Sequence, residues 1–289
     1  MRILVIGSGF IGSSIIQRLQ SEGHEVLAFS RGKNNFINCQ QIQGNIFDPN
    51  SLEACLSWQP HVIIQTAWVT VHKSYENDSQ NLNYAKFTIN LAKRILKSNV
   101  EHFIVLGSCA EYGSHGEPIS AGITELNPSS FYGIQKVMAF NCTRELLRDS
   151  HVRFTWARVF QPYGPRQDTH RLIPYLVKSL RNDDEVHLID SLSIHDWITT
   201  RDISAAISWT IKHRTPVEID IGTTMGYTNK EVIEHMALLL NKPLKRMSVL
   251  GNSNTAPAKF LVSKTSPLFL TGWVPTDSLN SGLQWVLEA

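Results

Sequence analysis

The chain has 289 residues, 42% of them hydrophobic, with a formal net charge of +2 and four cysteines. That length accommodates one large α/β domain or a core with a smaller lobe, and the small charge without any lysine/arginine block argues against a nucleic-acid or membrane partner. No stretch approaches the roughly 20 apolar residues of a membrane span, and the apolar run opening the chain stops at Gly7, too early for a secretion signal. Cys39, Cys55, Cys109 and Cys142 lack paired or metal-ligand spacing, and the eleven histidines form no ligand set. Reduced thiols, no metal and a cytoplasmic location are therefore expected.

Arg2-Ile3-Leu4-Val5-Ile6 is a nearly continuous apolar run, the pattern of a parallel strand covered on both faces. After Gly7-Ser8-Gly9-Phe10-Ile11-Gly12, the residues Ile15, Ile16 and Leu19 recur at helical spacing, and Gly23 is placed to cap that helix. Glu25–Phe29 is the next strand. His61–Thr66 reads as a strand, residues 79–98 as a long helix, and His102–Leu106 as a strand ending at Gly107-Ser108. Phe131–Arg148 is helical and Val152–Arg158 is a strand. This alternation implies an α/β fold, a Rossmann-type doubly wound parallel sheet.

Beyond Arg158 the pattern changes. Gln161–Arg166 is turn-rich and leaves the sheet. Strands at Val186–Ile189 and Val217–Ile221 then mix with helices at Leu172–Arg181, Ile203–Lys212 and Asn229–Leu240. The expected division is a dinucleotide-binding core over residues 1–160 and, over residues 161–289, a small C-terminal substrate lobe that partly returns to the core.

Each glycine of the opening loop has a separate task. Gly7 allows the tight turn, Gly9 lets backbone approach a pyrophosphate, and Gly12 lets the helix pack on the strand. The helix behind the loop offers free N–H groups and a positive dipole end to that anion. A carboxylate after the second strand would bind the 2′-hydroxyl of NAD. Here Ser30-Arg31-Gly32-Lys33 stands instead. A hydroxyl beside a guanidinium suits a 2′-phosphate, which favours NADP, with NAD as the alternative.

Tyr132 and Lys136 form a Tyr-x-x-x-Lys pair, one helical turn apart on one face. The lysine's charge is expected to favour the phenolate and lower the Tyr132 pKa. Ser108 supplies a hydroxyl to hold a reacting carbonyl or alcohol oxygen beside that phenol. Glu111 and Tyr112 follow Ser108 and either line a substrate pocket or hold the turn. The rings of Trp68 and Trp197 either stack on a ligand or belong to the core.

These segments resemble the extended short-chain dehydrogenase/reductase family of nucleotide-sugar epimerases, dehydratases and reductases, and the likeness covers most of the chain. Gly7–Gly12 is similar to the family's glycine loop, so Phe10 and Ile11 join the expected cofactor contacts. Gly44-Asn45-Ile46-Phe47-Asp48 resembles the segment lying against adenine, with Asn45 for its usual aspartate. Gln65-Thr66-Ala67-Trp68 stands where the family has His-Leu-Ala-Ala. The resemblance further implies cofactor contacts at Thr66, Ala67, Asn83, Tyr132, Lys136 and Phe160. It implies catalysis by Ser108, Tyr132 and Lys136, with substrate contacts at Ser108, Gln161 and Arg166, and Glu111 as the pocket residue weighed above. Gln161 departs from the family's asparagine. Cys109 and Ala110 stand where dehydrating members carry an acidic pair, and neither does acid–base chemistry at neutral pH, which argues against dehydration.

Three functions follow. One is an NADPH-dependent reductase of a 4-keto group on a nucleotide-linked sugar. The second is an epimerase that retains its cofactor. The third is a non-catalytic dinucleotide-binding regulator on the same fold, against which the complete Ser108/Tyr132/Lys136 set argues. A small-molecule substrate and a homodimer are expected.

Overall fold

The computed structural model describes residues 1–70, 74–188, 190–242, 247–249, 260–264 and 266–289. The first half runs β1 (Arg2–Ile6), α1 (Phe10–Ser21), β2 (Glu25–Ser30), β3 (Gln40–Gln43), α2 (Pro49–Ser57), β4 (Val62–Gln65), α3 (Gln80–Ile95), β5 (His102–Ser108), α4 (Phe131–Leu147) and β6 (Arg153–Val159). The second half begins with β7 (Gln161–Tyr163), α5 (Leu172–Arg181), β8 (Val186–Leu188), β9 (Ile194–Thr199), α6 (Thr200–Lys212) and β10 (Glu218–Ile221). It ends with β11 (Gly226–Thr228), α7 (Asn229–Leu239), β12 (Met247–Val249), β13 (Phe260–Leu261) and α8 (Leu279–Glu288).

Seven strands form one parallel sheet in the order β10-β6-β5-β4-β1-β2-β3. Alternate residues of each central strand point to opposite faces. Leu4, Ile6, Phe103 and Val105 meet Leu91 of α3 and Phe140 of α4 in one buried cluster. Ile3, Val5 and Ile104 meet Ile15, Ile16 and Leu19 of α1 and Ile203 and Ile207 of α6 in the other. With both faces covered, the interiors of β1, β4 and β5 are apolar, as a buried parallel sheet requires. Strand order reverses between β1 and β4, so the loops after these two strands part and leave the crevice where such sheets bind ligands.

The expected α/β fold is the one observed, with informative differences at its margins. β3 is an edge strand of sequence QQIQ and carries no apolar run to announce it. α6 begins three residues before the expected Ile203, because the Thr199 hydroxyl accepts the Asp202 amide and caps the helix there. Gln161–Tyr163, expected as part of a turn, leaves the central sheet but pairs with β9, which also pairs with β11 and β13. The strand expected over Val186–Ile189 is observed over Val186–Leu188, and Ile189 lies outside the described residues. Helices α5, α7 and α8 close an apolar cluster with Trp197, Ile173, Val232 and Leu283. Asp196 ties this lobe together by accepting from the backbone and hydroxyls of Thr223 and Ser263. Among the described residues, no helix is long and apolar enough to cross a membrane, and no cluster of His, Cys, Asp or Glu is set to hold a metal.

The return strand β10 carries Asp220, wholly buried, whose one oxygen accepts the Tyr112 hydroxyl at 2.8 Å. Its other oxygen has no hydrogen-bond partner among the described residues. Burial pushes the carboxyl pKa up to about 7 from an ordinary 3.8. The folded chain then holds a proton that the unfolded chain releases, so this group's stabilisation is present below the ordinary value and lost as pH rises through the folded one. Asp220→Asn is expected to flatten the fall in stability between pH 4 and 7. Urea midpoints across that interval check it, and an undiminished slope in the variant would assign the pH dependence to other groups.

Candidate active site

The crevice at the β1/β4 reversal is built from backbone first. Gly7 sits at φ +104°, and a Cβ there would lie 2.5 Å from Thr66 Oγ1 and 2.7 Å from the Ala67 amide nitrogen. A Cβ on Gly12 would lie 1.9 Å from the Gly7 carbonyl oxygen. Neither position tolerates a side chain. Gly9 is the opposite case: a Cβ there would meet nothing within 4 Å, and this residue starts α1 with no side-chain cap and no acid in the first turn. Open space in front of an uncapped helix start is what a pyrophosphate needs. Thr66 fastens the loop by donating its hydroxyl to the Gly7 carbonyl at 2.7 Å.

At the end of β2, Ser8 Oγ donates to Ser30 Oγ at 2.9 Å, and Ser30 Oγ donates to the Gly32 carbonyl at 2.8 Å. Arg31 is exposed and makes no hydrogen bond or ion pair among the described residues. Asn45 is exposed in the turn after β3, where its side chain accepts the Phe47 amide at 3.0 Å, and Ile46 is buried behind it.

The chemistry-bearing side chains meet where β5 ends and α4 begins. Ser108 is the last residue of β5, and its Oγ accepts the Ala110 amide at 3.2 Å. Ser130 caps α4 by accepting the Gly133 amide, and the Tyr132 amide donates to the Glu76 carbonyl at 2.8 Å, which pins the helix start. Tyr132 thereby sits with its phenol beside Ser108, close enough for the serine to act on its pKa. Lys136, one turn on, is buried: its ammonium donates to the Leu106 carbonyl at 2.5 Å and lies 3.9 Å from the Trp68 ring centre and 5.7 Å from that of Tyr132.

The protonation pattern differs from the expected one. Burial raises the Tyr132 pKa, against a lowering by the Ser108 hydrogen bond, and Lys136 does not reverse it. Burial brings Lys136 itself down to about 7, partly opposed by the Glu111 carboxylate. The ammonium is turned to a carbonyl and an indole face rather than to the phenol oxygen, so a cation one helical turn away does not make a phenolate here. Cys109 is also buried, and its thiol is pushed up to about 12. It keeps its proton at neutral pH and supplies no base.

Four further residues are corrected by their surroundings. Glu111 does not line a pocket. It is wholly buried beneath Ser108 and accepts the Ser108 amide at 2.8 Å, the Trp156 indole N–H at 2.9 Å and Arg158 Nε at 2.7 Å. Phe160 is 1% exposed, its ring enclosed with Cys109, Tyr112 and Ile119 rather than open to a ligand. Asn83 is exposed on α3 and bonded to Gln80; the buried asparagine is Asn81, which accepts the Trp68 indole N–H at 2.8 Å. Arg166 lies over the Phe36 ring and bonds Gln17 of α1, outside the Ser108–Tyr132 group. Gln161 is half-buried on β7 opposite Trp197 of β9. Trp197 belongs to the core of the lobe.

Tyr75, Asn81 and Arg158 at this centre went unread as site residues. Tyr75 sits edge-on to Tyr132 with ring centres 5.2 Å apart. The segment around it has no regular periodicity, and its density of Tyr, Glu, Asn and Asp after a strand is the signal that could have found it.

Comparison with known proteins shows the family. Residues 3–222 match the model of the NAD dependent epimerase/dehydratase family. A UDP-glucose 4-epimerase of Lactobacillus helveticus is 25% identical over 81% of this chain and 80% of its own length. A dTDP-4-dehydro-6-deoxyglucose reductase of Escherichia coli is 25% identical over 75% of this chain and 71% of its own. The crystal structure of the Thermus thermophilus UDP-glucose 4-epimerase in complex with NAD superposes with a TM-score of 0.88 at 20% identity, covering 100% of this chain and 98% of that one. The chain belongs to the NAD dependent epimerase/dehydratase family. It is an NAD(P)-dependent enzyme of the short-chain dehydrogenase/reductase type.

Proposed function

We propose that this enzyme reduces a 4-keto group on a nucleotide-linked sugar, with Tyr132 as proton donor. The observation that carries this reading is the half-buried Tyr132 beside Ser108, its phenol held above the ordinary range so that it keeps its proton, with Cys109 and Ala110 after Ser108 in place of an acid–base pair. Tyr132 delivers its proton to the carbonyl oxygen, and Ser108 holds that oxygen in line. Lys136 binds ribose hydroxyls, where the ammonium also gains acceptors that favour its charged form. Gly7, Gly9, Gly12, Thr66 and Ala67 form the cradle for the dinucleotide, with Asn45 and Ile46 at adenine and Gln161 toward the substrate. The bound nicotinamide supplies the hydride.

Epimerisation with a retained cofactor is the second reading, favoured by the likeness to the Lactobacillus helveticus epimerase. Incubation with 4-keto-6-deoxy sugar nucleotides and NADPH is expected to consume one equivalent of NADPH per reduced sugar and to release no water from intact nucleotide hexoses. Interconversion of hexose C4 epimers without net NADPH use would establish the epimerase instead. Tight dinucleotide binding without turnover across such a panel would leave a non-catalytic binder. A homodimer in the cytoplasm belongs to the same reading, and a monomeric mass by light scattering would remove the dimer.

Arg31 is assigned to the 2′-phosphate of NADP. Charge-assisted hydrogen bonds there are expected to favour NADP(H) over NAD(H) by about 1–3 kcal/mol, and Arg31→Ala to erase most of that difference while leaving NAD(H) affinity nearly unchanged. The Thermus thermophilus relative holds NAD, so the titration of both dinucleotides decides the point. Equal affinities in the wild type would assign NAD to this chain as well.

A further inference from the structure

Arg166 was the arginine that the sequence offered to the substrate, and it lies elsewhere. A different arginine is linked to Tyr132 through one aromatic ring. Arg171 immediately precedes α5, so it belongs to the C-terminal half of the chain. Its guanidinium carbon is 5.3 Å from the ring centre of Tyr75, which belongs to the loop after β4 and is itself 5.2 Å from the ring centre of Tyr132. Arg171, Tyr75 and Tyr132 therefore form a row that crosses from the lobe to the catalytic phenol.

The row is anchored at both ends. The Arg171 amide donates to the Asp168 carbonyl at 2.9 Å, and the Tyr132 amide donates to the carbonyl of Glu76, the neighbour of Tyr75. Glu76 is exposed, and its carboxylate is 3.5 Å from the Tyr75 hydroxyl. Arg171 makes no ion pair with a carboxylate among the described residues. A guanidinium carries five N–H donors in a planar fork, and a contact with the Tyr75 ring leaves them available. A half-buried cation, stacked on an aromatic face with donors left over, is suited to a planar or tetrahedral oxyanion.

We propose that Arg171, oriented by Tyr75, is the residue that takes a phosphate of the substrate's nucleoside diphosphate. A hexopyranose carries its C4 and its anomeric diphosphate at opposite ends of the ring. A sugar whose C4 oxygen rests on Tyr132 and Ser108 thus holds its phosphate one ring-length away, the scale of the Tyr132–Tyr75–Arg171 row. Tyr75 fixes the guanidinium plane and closes the side of the sugar site between them. This inference rests on the nucleotide-sugar reading of the site and adds the residue that selects for the nucleotide.

The test uses the full chain saturated with NADP(H) or NAD(H), titrated calorimetrically with UDP, dTDP, GDP and CDP. At least one of the four is expected to bind the wild type, and Arg171→Ala to weaken that one by about 10- to 100-fold, the scale of hydrogen bonds to a charged group. Arg171→Lys should recover only part of the loss, because a point charge lacks the fork. Tyr75→Phe should cost less than Arg171→Ala, since the ring stack remains. In turnover assays the Arg171→Ala loss should fall on KM more than on kcat, and dinucleotide affinity should stay at the wild-type value. Wild-type affinity for the same nucleoside diphosphate in both Arg171 variants would overturn the assignment of Arg171 alone. If no nucleoside diphosphate binds the wild type, the nucleotide-sugar reading falls, and this inference with it.

Discussion

Tyr132→Phe is expected to lower turnover by roughly 10²- to 10⁴-fold, the usual scale for loss of a general acid, while leaving dinucleotide affinity nearly intact. The ring stays, and with it the edge-on contacts to Tyr75 and Trp68 at 5.2 and 6.4 Å. Only the hydroxyl is lost. The amide of residue 132 still donates to Glu76, so the start of α4 keeps its place. Steady-state kinetics and dinucleotide titration on the same preparation separate the two effects. Turnover close to the wild-type rate would take the proton-donor role away from Tyr132. A matching loss of dinucleotide affinity would make the hydroxyl a binding group instead.

The central strands were legible because burial on both faces writes itself as unbroken apolar sequence, and Arg2–Ile6 and His102–Leu106 carry that pattern. The glycine loop was legible because Gly7 and Gly12 answer to steric demands that no other residue meets. Tyr132 and Lys136 were readable from one-turn spacing along a helix, but spacing says nothing of where a long side chain ends. The Lys136 ammonium went to the Leu106 carbonyl and the Trp68 face, and burial rather than a neighbouring charge came to dominate the Tyr132 pKa. Glu111 shows the same limit. A carboxylate three residues after a catalytic serine reads as a pocket residue, because its partners Trp156 and Arg158 arrive on β6 from 45 and 47 residues away. Arg171 was invisible for the same reason: its meaning depends on Tyr75, which the chain brings to it from another loop.

Glu111→Ala is expected to destabilise the fold by about 3–5 kcal/mol, the cost of leaving one member of a buried ion pair without the other. Both Glu111 and Arg158 are fully buried, and Nε of the arginine is 2.7 Å from the carboxylate. Arg158 retains Glu218 through Nη1 at 2.8 Å, while its Nη2 is already without a hydrogen-bond partner among the described residues. The alanine variant would therefore leave a guanidinium with one carboxylate at the edge of β10 and none beneath the active site. Space around the pair is fully used, since a Cβ on Gly107 would lie 2.3 Å from Trp156 Nε1 and 2.7 Å from Glu111 Oε1. Removing both charges with volume kept, as in Glu111→Gln with Arg158→Met, should cost markedly less than the sum of the single changes, because no unpaired charge then remains in the interior. Urea unfolding of the two single variants and the double variant at pH 7 measures this coupling. Additive losses, or a Glu111→Ala loss below about 1 kcal/mol, the range of an exposed pair, would show that the pair is solvated and does not support Ser108 from below. Because the Ser108 amide donates to Glu111, turnover in Glu111→Gln should also fall, and more so than dinucleotide affinity.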